Sequence, residues 1–375
     1  MNHVVIAPDK FKGTLTAGEV ATYVTAGLAG AGVGDDSVVA VPIADGGDGT
    51  VDAAVAAGYR RVGFGVRGPS GPVVNAAFGL RDGTAIIESA QACGLALLAG
   101  GELAPLTAST RGVGELVQAA VRMGAKQVVL GLGGTATTDG GAGFARALGA
   151  RLADSEGHDL PAGGAALGRL ASLDLTRLRD LSGVEFLLAS DVDNPLLGPA
   201  GAAAVYAPQK GASADDVAVL EAGLARWADV AEEALGRKAR DLPGAGAAGG
   251  LGFAAQLFLG ARTRPGIGLL LEMTAFEERL AGARLVITGE GALDEQTLRG
   301  KAPAGVARAA AAHDPSVPAV AVCGVCLLSE AQLREAGLAQ AYALTDIEPD
   351  LAKCLASPGP ILEQLAARIA EDWLS

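Results

Sequence analysis

Histidine and aromatic side chains are scarce in this 375-residue chain, with three histidines (His3, His158, His313) and aromatics at 4%. A core with so few rings must be built from valine, leucine, isoleucine and alanine, which suits a layered α/β protein. Cysteine is scarce too, and Cys93, Cys323, Cys326 and Cys354 do not make a disulfide framework in a chain this long. Cys323-x-x-Cys326 has no second cysteine pair and lies in an apolar, strand-like run, so buried free thiols are expected there rather than a metal or redox site. Positive charge is outnumbered, 29 Lys and Arg against 42 Asp and Glu, for a net charge of −13. That balance excludes a nucleic-acid partner, which needs a basic face, but leaves room for a small anion held by a few local cations. The first eight residues enter a strand at once, without the charged and apolar regions of a signal peptide. The longest uncharged run, residues 242–261, could span a bilayer by length, but Pro243 with Gly244, Gly246, Gly249, Gly250 and Gly252 makes it a loop feeding a helix. No membrane association and a cytoplasmic location are the expectation.

Length alone favours two domains. Short β-branched runs alternate with Ala/Leu-rich amphipathic stretches, the βα pattern of a mostly parallel sheet. Strands are predicted over 4–7, 37–42, 85–88, 127–132, 185–189, 285–288 and 318–323. Helices are predicted over 17–29, 50–57, 110–123, 214–235, 301–312 and 360–373. Thr16 with Glu19, and Ser329 with Gln332, have the spacing of capping boxes. Residues 61–80 read as a hairpin around Gly68-Pro69-Ser70-Gly71-Pro72, whereas both ends show plain βα alternation. The expected architecture is therefore a Rossmann/flavodoxin-like parallel-sheet domain made from residues 1–60 and 280–375. A second, mixed α/β domain, 61–279, would be inserted in it.

Glycine is abundant, 55 residues, and it gathers with polar residues in clusters that follow the predicted strands, where open α/β sheets bind ligands. The first cluster is Pro8-Asp9-Lys10-Phe11-Lys12-Gly13-Thr14, and the second Ala44-Asp45-Gly46-Gly47-Asp48-Gly49-Thr50. The third runs from Gly131 through Gly133-Gly134-Thr135-Ala136-Thr137-Thr138-Asp139 to Gly143. Gly131, Gly133 and Ala136 satisfy a relaxed dinucleotide fingerprint, but Asp139-Gly140-Gly141 would break the helix that motif requires. The fourth is Ala189-Ser190-Asp191-Val192-Asp193-Asn194-Pro195-Leu196, with Pro208-Gln209-Lys210-Gly211 close behind. In an extended segment Asp191 and Asp193 point to one side, and two such carboxylates suit Mg²⁺. The fifth, Ile287 to Thr297 with Glu290 inside it, reads as a strand leading through an acidic glycine loop to Lys301 at a helix start. Residues 243–252 add another helix-initiating glycine loop. None of these clusters contains histidine, and no Walker A or Gly-x-Ser-x-Gly motif occurs. Histidine-based and triad chemistry are thus disfavoured, whereas phosphoryl transfer needs only carboxylates, cations, backbone donors and metal.

Taken together and in order, Phe11-Lys12-Gly13, Ala44-Asp45-Gly46-Gly47, Gly131 to Thr137, Asp191 to Leu196, Pro208 to Ala212, the 243–252 loop, Gly289-Glu290-Gly291 and Gly300-Lys301 resemble the glycerate kinase family. Lys10, Asp48, Thr138 and Ala292 depart from the family's usual Ser, Glu, Asn and Arg. The resemblance implies an active site in the cleft between two domains, ATP and Mg²⁺, D-glycerate as acceptor, and 2-phosphoglycerate rather than 3-phosphoglycerate as the favoured product. It casts Asp191, Lys12 and Lys210 as catalytic, and Asp191 and Asp193 as metal ligands. Asp9, Asp45, Gly46, Gly47, Asn194 and Glu290 would bind substrate. Gly133, Gly134, Thr135, Thr137, Gly249, Gly250 and Lys301 would bind the nucleotide phosphates. The expected partners are glycerate and ATP, with room for a homodimer. Two other readings stand beside it: an NAD(P)-dependent oxidoreductase of a small hydroxy acid, and a non-catalytic carboxylate-binding protein.

Overall fold

The computed structural model of the chain describes residues 3–298 and 300–375. It divides into two units, one made of residues 1–45, 52–58 and 266–375, the other of residues 46–51 and 59–265.

The first unit is built on five parallel strands in the spatial order Gln340–Ala343, Ala319–Cys326, Ala283–Leu293, His3–Pro8, Val38–Ala40. Numbered along the unit, this is the order 2-1-3-4-5 of flavodoxin-like sheets. The first strand shows why both faces are covered. Its residues alternate, Val4 and Ile6 packing with the helices Ala17–Gly30 and Pro358–Trp373, Val5 and Ala7 with Ala302–His313 on the other face. A strand buried on both sides reads as a continuous apolar run, as this one does. The inner segment ends at residue 265 instead of the expected 279. The helices Gly266–Met273 and Phe276–Leu280 bury Ile267, Leu271, Phe276 and Leu280 in the first unit's core.

The second unit carries a six-stranded mixed sheet in the order Arg262–Arg264, Glu185–Ala189, Gln127–Gly131, Thr84–Glu88, Val73–Arg81, Arg60–Arg67. The first four are parallel, and the last two form the antiparallel hairpin expected over 61–80. Its core holds the indole of Trp227, fully buried, stacked on Phe258 (centroids 5.8 Å apart) and edge-on to Phe253 (6.4 Å). The indole N–H donates to the Gly140 carbonyl at 2.9 Å, so this aromatic cluster fixes the glycine loop above it.

Both predicted capping boxes form, and Ser213 with Asp216 makes a third. Residues 242–261 are a loop feeding the helix Ala247–Leu259, and no helix is long and apolar enough to cross a membrane among the described residues. All four cysteines are free. Cys93, Cys323 and Cys354 are buried, but Cys326, at the end of its strand, is half-buried.

Small side chains let these helices approach closely. A Cβ at Gly27 would lie 2.2 Å from the Glu363 carbonyl oxygen, whereas a Cβ at Gly18, exposed on the same helix, meets nothing within 4 Å. Gly27→Ala should therefore destabilise by about 1–3 kcal/mol and Gly18→Ala stabilise by about 0.5–1 kcal/mol. Denaturant midpoints of the two variants check this pair, and equal shifts would contradict the packing.

Candidate active site

In the first unit the strand order reverses between His3–Pro8 and Ala283–Leu293, the place where such sheets bind ligands beyond the strands' carboxyl ends. Asp9 and Glu290 both stand there. The Asp9 N–H donates to the Gly289 carbonyl at 2.8 Å. Its carboxylate accepts from the Lys10 N–H at 2.7 Å and lies 3.7 Å from the Lys10 ammonium. Glu290 accepts from the Thr297 hydroxyl at 2.5 Å and pairs with the Lys301 ammonium at 3.7 Å. Asp9 and Glu290 are only 7% exposed, and Asp45, after the Val38–Ala40 strand, acts electrostatically on both. Burial pushes the Asp9 carboxyl up to about 7; Lys10 opposes the rise while Asp45 and Glu290 add to it. Burial also raises Glu290, against the hydrogen bond from Thr297 and the charge of Lys301. The acidic glycine loop expected around Gly289 is in fact strand, pairing through to Leu293 with Ala319–Cys326. Gly289 is required there because a Cβ would lie 2.3 Å from the Val322 carbonyl oxygen. Lys12 is exposed beside this strand, its backbone N 3.3 Å from where a Gly291 Cβ would be.

In the second unit the glycine loops pack on one another at the carboxyl ends of Thr84–Glu88, Gln127–Gly131 and Glu185–Ala189. A Cβ at Gly133 would lie 2.6 Å from the Gly47 Cα, and one at Gly46 2.8 Å from the Ala189 carbonyl oxygen. Gly249, with φ +68°, approaches so closely that its Cβ would sit 1.9 Å from the Thr137 carbonyl oxygen, and Gly140 N–H donates to the Gly249 carbonyl at 3.0 Å. Ala248, Gly249 and Gly250 form three successive left-handed residues, a strained run that persists only where its surroundings enforce it. The Lys210 ammonium lies beneath this cradle, 3% exposed, donating to the Thr137 carbonyl at 2.5 Å and to the Thr135 hydroxyl at 3.4 Å. Burial pulls it down to about 8, against the neighbouring Cys93 and Asp139, so it is charged at neutral pH.

The structure thus joins Gly46, Gly47, Gly133, Gly134, Thr135, Thr137, Lys210, Gly249 and Gly250 in one cluster. Asp9, Asp45, Glu290 and Lys301 form another. Asp191 and Asp193 stand exposed on the segment after Glu185–Ala189. Asn194, expected to bind substrate, fastens its own loop: its amide donates to the Ala200 carbonyl at 2.8 Å and its carbonyl accepts from the Tyr206 hydroxyl at 2.5 Å.

Two buried acids escape sequence reasoning. Asp139 accepts from the Thr110 N–H and hydroxyl and from the Gly141 and Gly143 N–H groups, all within 3.1 Å, and so starts the helix Ala142–Ala147. Glu88 accepts from the Gly49 and Val51 N–H groups at 3.1 and 3.3 Å. An acid ending an apolar strand (Glu88) and one preceding a double glycine (Asp139) were the available signals. The start at Ala142 also removes the dinucleotide reading, because no helix N-terminus follows Gly134 to receive a pyrophosphate. No group of three or more His, Cys, Asp and Glu disposed to hold a metal occurs among the described residues.

A family model described as the glycerate kinase family matches residues 4–374. A glycerate kinase of Bacillus subtilis is 47% identical over 325 residues, 86% of this chain and 84% of that protein. A glycerate 2-kinase of Escherichia coli is 43% identical over 323 residues, 85% of this chain and 84% of that protein. The crystal structure of a putative glycerate kinase 2 from Salmonella typhimurium superposes with a TM-score of 0.83 at 39% identity, covering 99% of this chain and 98% of that one. Over nearly its whole length, and through both clusters, this chain belongs to the glycerate kinase family.

Proposed function

We propose that the chain transfers the γ-phosphoryl group of ATP to D-glycerate, with the 2-hydroxyl as acceptor. The observation that carries this reading is a family match running unbroken through both clusters, each at the carboxyl ends of parallel strands and neither containing histidine. Phosphoryl transfer is catalysed mainly by positioning and charge, with a carboxylate placed for the acceptor proton.

Asp9 is assigned as that base, with Asp45 and Glu290 orienting the substrate hydroxyls and Lys12 and Lys301 meeting its carboxylate or the transferred phosphoryl group. A base whose pKa lies near 7 is half-ionised at working pH and strong enough to take a proton as the bond to phosphorus forms. In the second unit the backbone of residues 133–137 and 249–250 is assigned to the nucleotide phosphates. Lys210 acts through that loop, since its ammonium is buried against the Thr137 carbonyl. The donor set fits magnesium that arrives with ATP and is completed by phosphate oxygens: Asp191 and Asp193 offer two exposed hard ligands. Magnesium there would neutralise phosphate charge.

An ADP-release assay across D-glycerate, L-glycerate, glycerol and hydroxypyruvate, with the product identified by NMR, tests the reading. Turnover of D-glycerate to 2-phosphoglycerate is expected, with glycerol poorly used for want of a carboxylate. Comparable kcat/KM for glycerol and D-glycerate would contradict it.

For Asp9, kcat/KM in the wild type should rise with pH through about 7. Asp9→Asn should lower kcat by about 10²–10⁴-fold and abolish that limb. The stability effect has the opposite sign. Because the folded pKa lies above the ordinary 3.8, the native state holds an extra proton between about pH 4 and 7, and stability falls as pH rises through that window. Asp9→Asn removes this penalty, so its thermal midpoint should exceed the wild type's by more at pH 8 than at pH 5. A variant that lost activity and stability together at pH 8 would count against the assignment.

Asp191→Asn and Asp193→Asn should each lose about 3–5 kcal/mol of transition-state stabilisation, some hundreds-fold or more in rate, with thermal midpoints nearly unchanged. Asp215→Asn, in the exposed first turn of the helix Ala214–Leu235, serves as control. Near-wild-type turnover in both site variants would remove this segment from the active site.

A further inference from the structure

The second unit holds a basic cavity that the assignments above leave unused. It has a volume of about 860 Å³ and is lined by Arg111, Arg146, Arg151 and Arg177, with Asp159 and Asp174 the acids among its described lining residues. Four guanidiniums against two carboxylates leave a formal excess of two positive charges, in a chain whose net charge is −13. None of its lining residues belongs to the glycine loops. It opens beside the helix Ala142–Ala147 and the antiparallel strand pair of Arg151–Ala153 with Ser172–Asp174.

Backbone carbonyls and ion pairs hold the guanidiniums in place. Arg146 donates to the carbonyls of Leu152 and Pro161, both at 3.4 Å, and of Leu160 at 2.5 Å. Burial disfavours its charge, and Asp159 opposes that effect by more than the repulsion from Arg111 adds to it. Arg151 pairs with Asp159 at 2.7 Å and donates to the Gly157 carbonyl at 2.7 Å. Arg111 pairs with Glu115, one turn further along its helix, at 3.1 Å. Arg177 makes no hydrogen bond among the described residues. The turn that carries it is pressed against Gly149, φ +112°, where a Cβ would lie 2.0 Å from the Arg177 carbonyl oxygen. Arg111 and Arg146 come from helices, Arg151 from a strand and Arg177 from this turn, and the four line one concavity.

We propose that this cavity is a second, non-catalytic anion site that takes a small organic phosphate carrying at least two negative charges. Guanidinium forks match phosphate oxygens bidentately, and an anion would balance the positive excess of the lining. The volume suits a ligand of metabolite size. A concave site on an acidic chain favours such a ligand over nucleic acid, which needs an extended basic surface.

The proposal needs no assumption about the reaction. Its test is titration calorimetry of glycerol 3-phosphate, and of inorganic phosphate, into the full chain at fixed ionic strength. Wild type is compared with Arg151→Glu/Arg177→Glu and with Arg122→Glu/Arg284→Glu, an exposed pair outside the cavity with the same change of charge. Wild type and the control pair should bind one equivalent of glycerol 3-phosphate that the cavity variant lacks or binds at least about tenfold more weakly, with turnover in the absence of added phosphate ester alike in all three. Arg177→Ala replaces the double variant should that fail to fold. Identical isotherms for wild type and cavity variant would overturn the site. Inorganic phosphate bound as tightly as glycerol 3-phosphate would overturn the organic-phosphate assignment.

Discussion

The first unit depends on a single pairing of remote segments. His3–Pro8 lies parallel to Ala283–Leu293, in the register His3↔Ala283 to Pro8↔Gly289, so the chain's opening strand is completed only after more than two hundred residues have been threaded through another unit. This pairing places the first strand between Val38–Ala40 and Ala283–Leu293 and thereby creates the reversal of strand order. Connections to the two neighbours leave on opposite sides, so their loops diverge and open a crevice at the carboxyl ends. Asp9 and Glu290 occupy that crevice because they follow directly on the residues that pair.

What gathers there is electrostatically unfavourable by itself. Asp9 and Glu290 are buried within the field of each other and of Asp45, and burial is the largest influence on both. Two nearby lysines, Lys10 and Lys301, offset part of the cost, but Asp9 still holds its proton to about pH 7. Carboxyls are driven to such values by desolvation and like charge, and functional sites are where folds tolerate the cost. The stability that permits it comes from a sheet apolar on both faces and from helices close enough that only glycine fits at Gly27.

The second unit reaches its cluster by another route. Its sheet runs in sequence order without a reversal, and shape there comes from glycine against glycine, fixed from below by Trp227, Asp139 and Lys210. The cation and the acid are buried close to one another with hydrogen bonds to backbone groups, the arrangement in which removal of either is costly. Lys210 is therefore as much a support of the loop as a source of charge for it.

Strand and helix identities were set locally. Alternating apolar residues, β-branched runs and capping pairs such as Thr16 with Glu19 act within a few residues, and those elements form near their predicted bounds. The families of glycine clusters were legible for the same reason, since each follows its strand in the chain. Tertiary structure decided what local pattern could not. Gly289-Glu290-Gly291 reads as a loop because glycine and glutamate disfavour strands, yet pairing with Ala319–Cys326 holds it as one, and glycine is there to admit the Val322 carbonyl. The helices at 266–280 look the same whichever core they join, and only apolar burial assigns them to the first unit. That Asn194 braces its own loop is visible only once Ala200 and Tyr206 are seen at the two ends of its amide. Asp139 and Glu88 looked like a helix breaker and a strand residue, because their donors come from segments up to 39 residues away in the chain. Sequence determines which groups are available; only long-range packing decides which are desolvated together, and desolvation is what sets their chemistry.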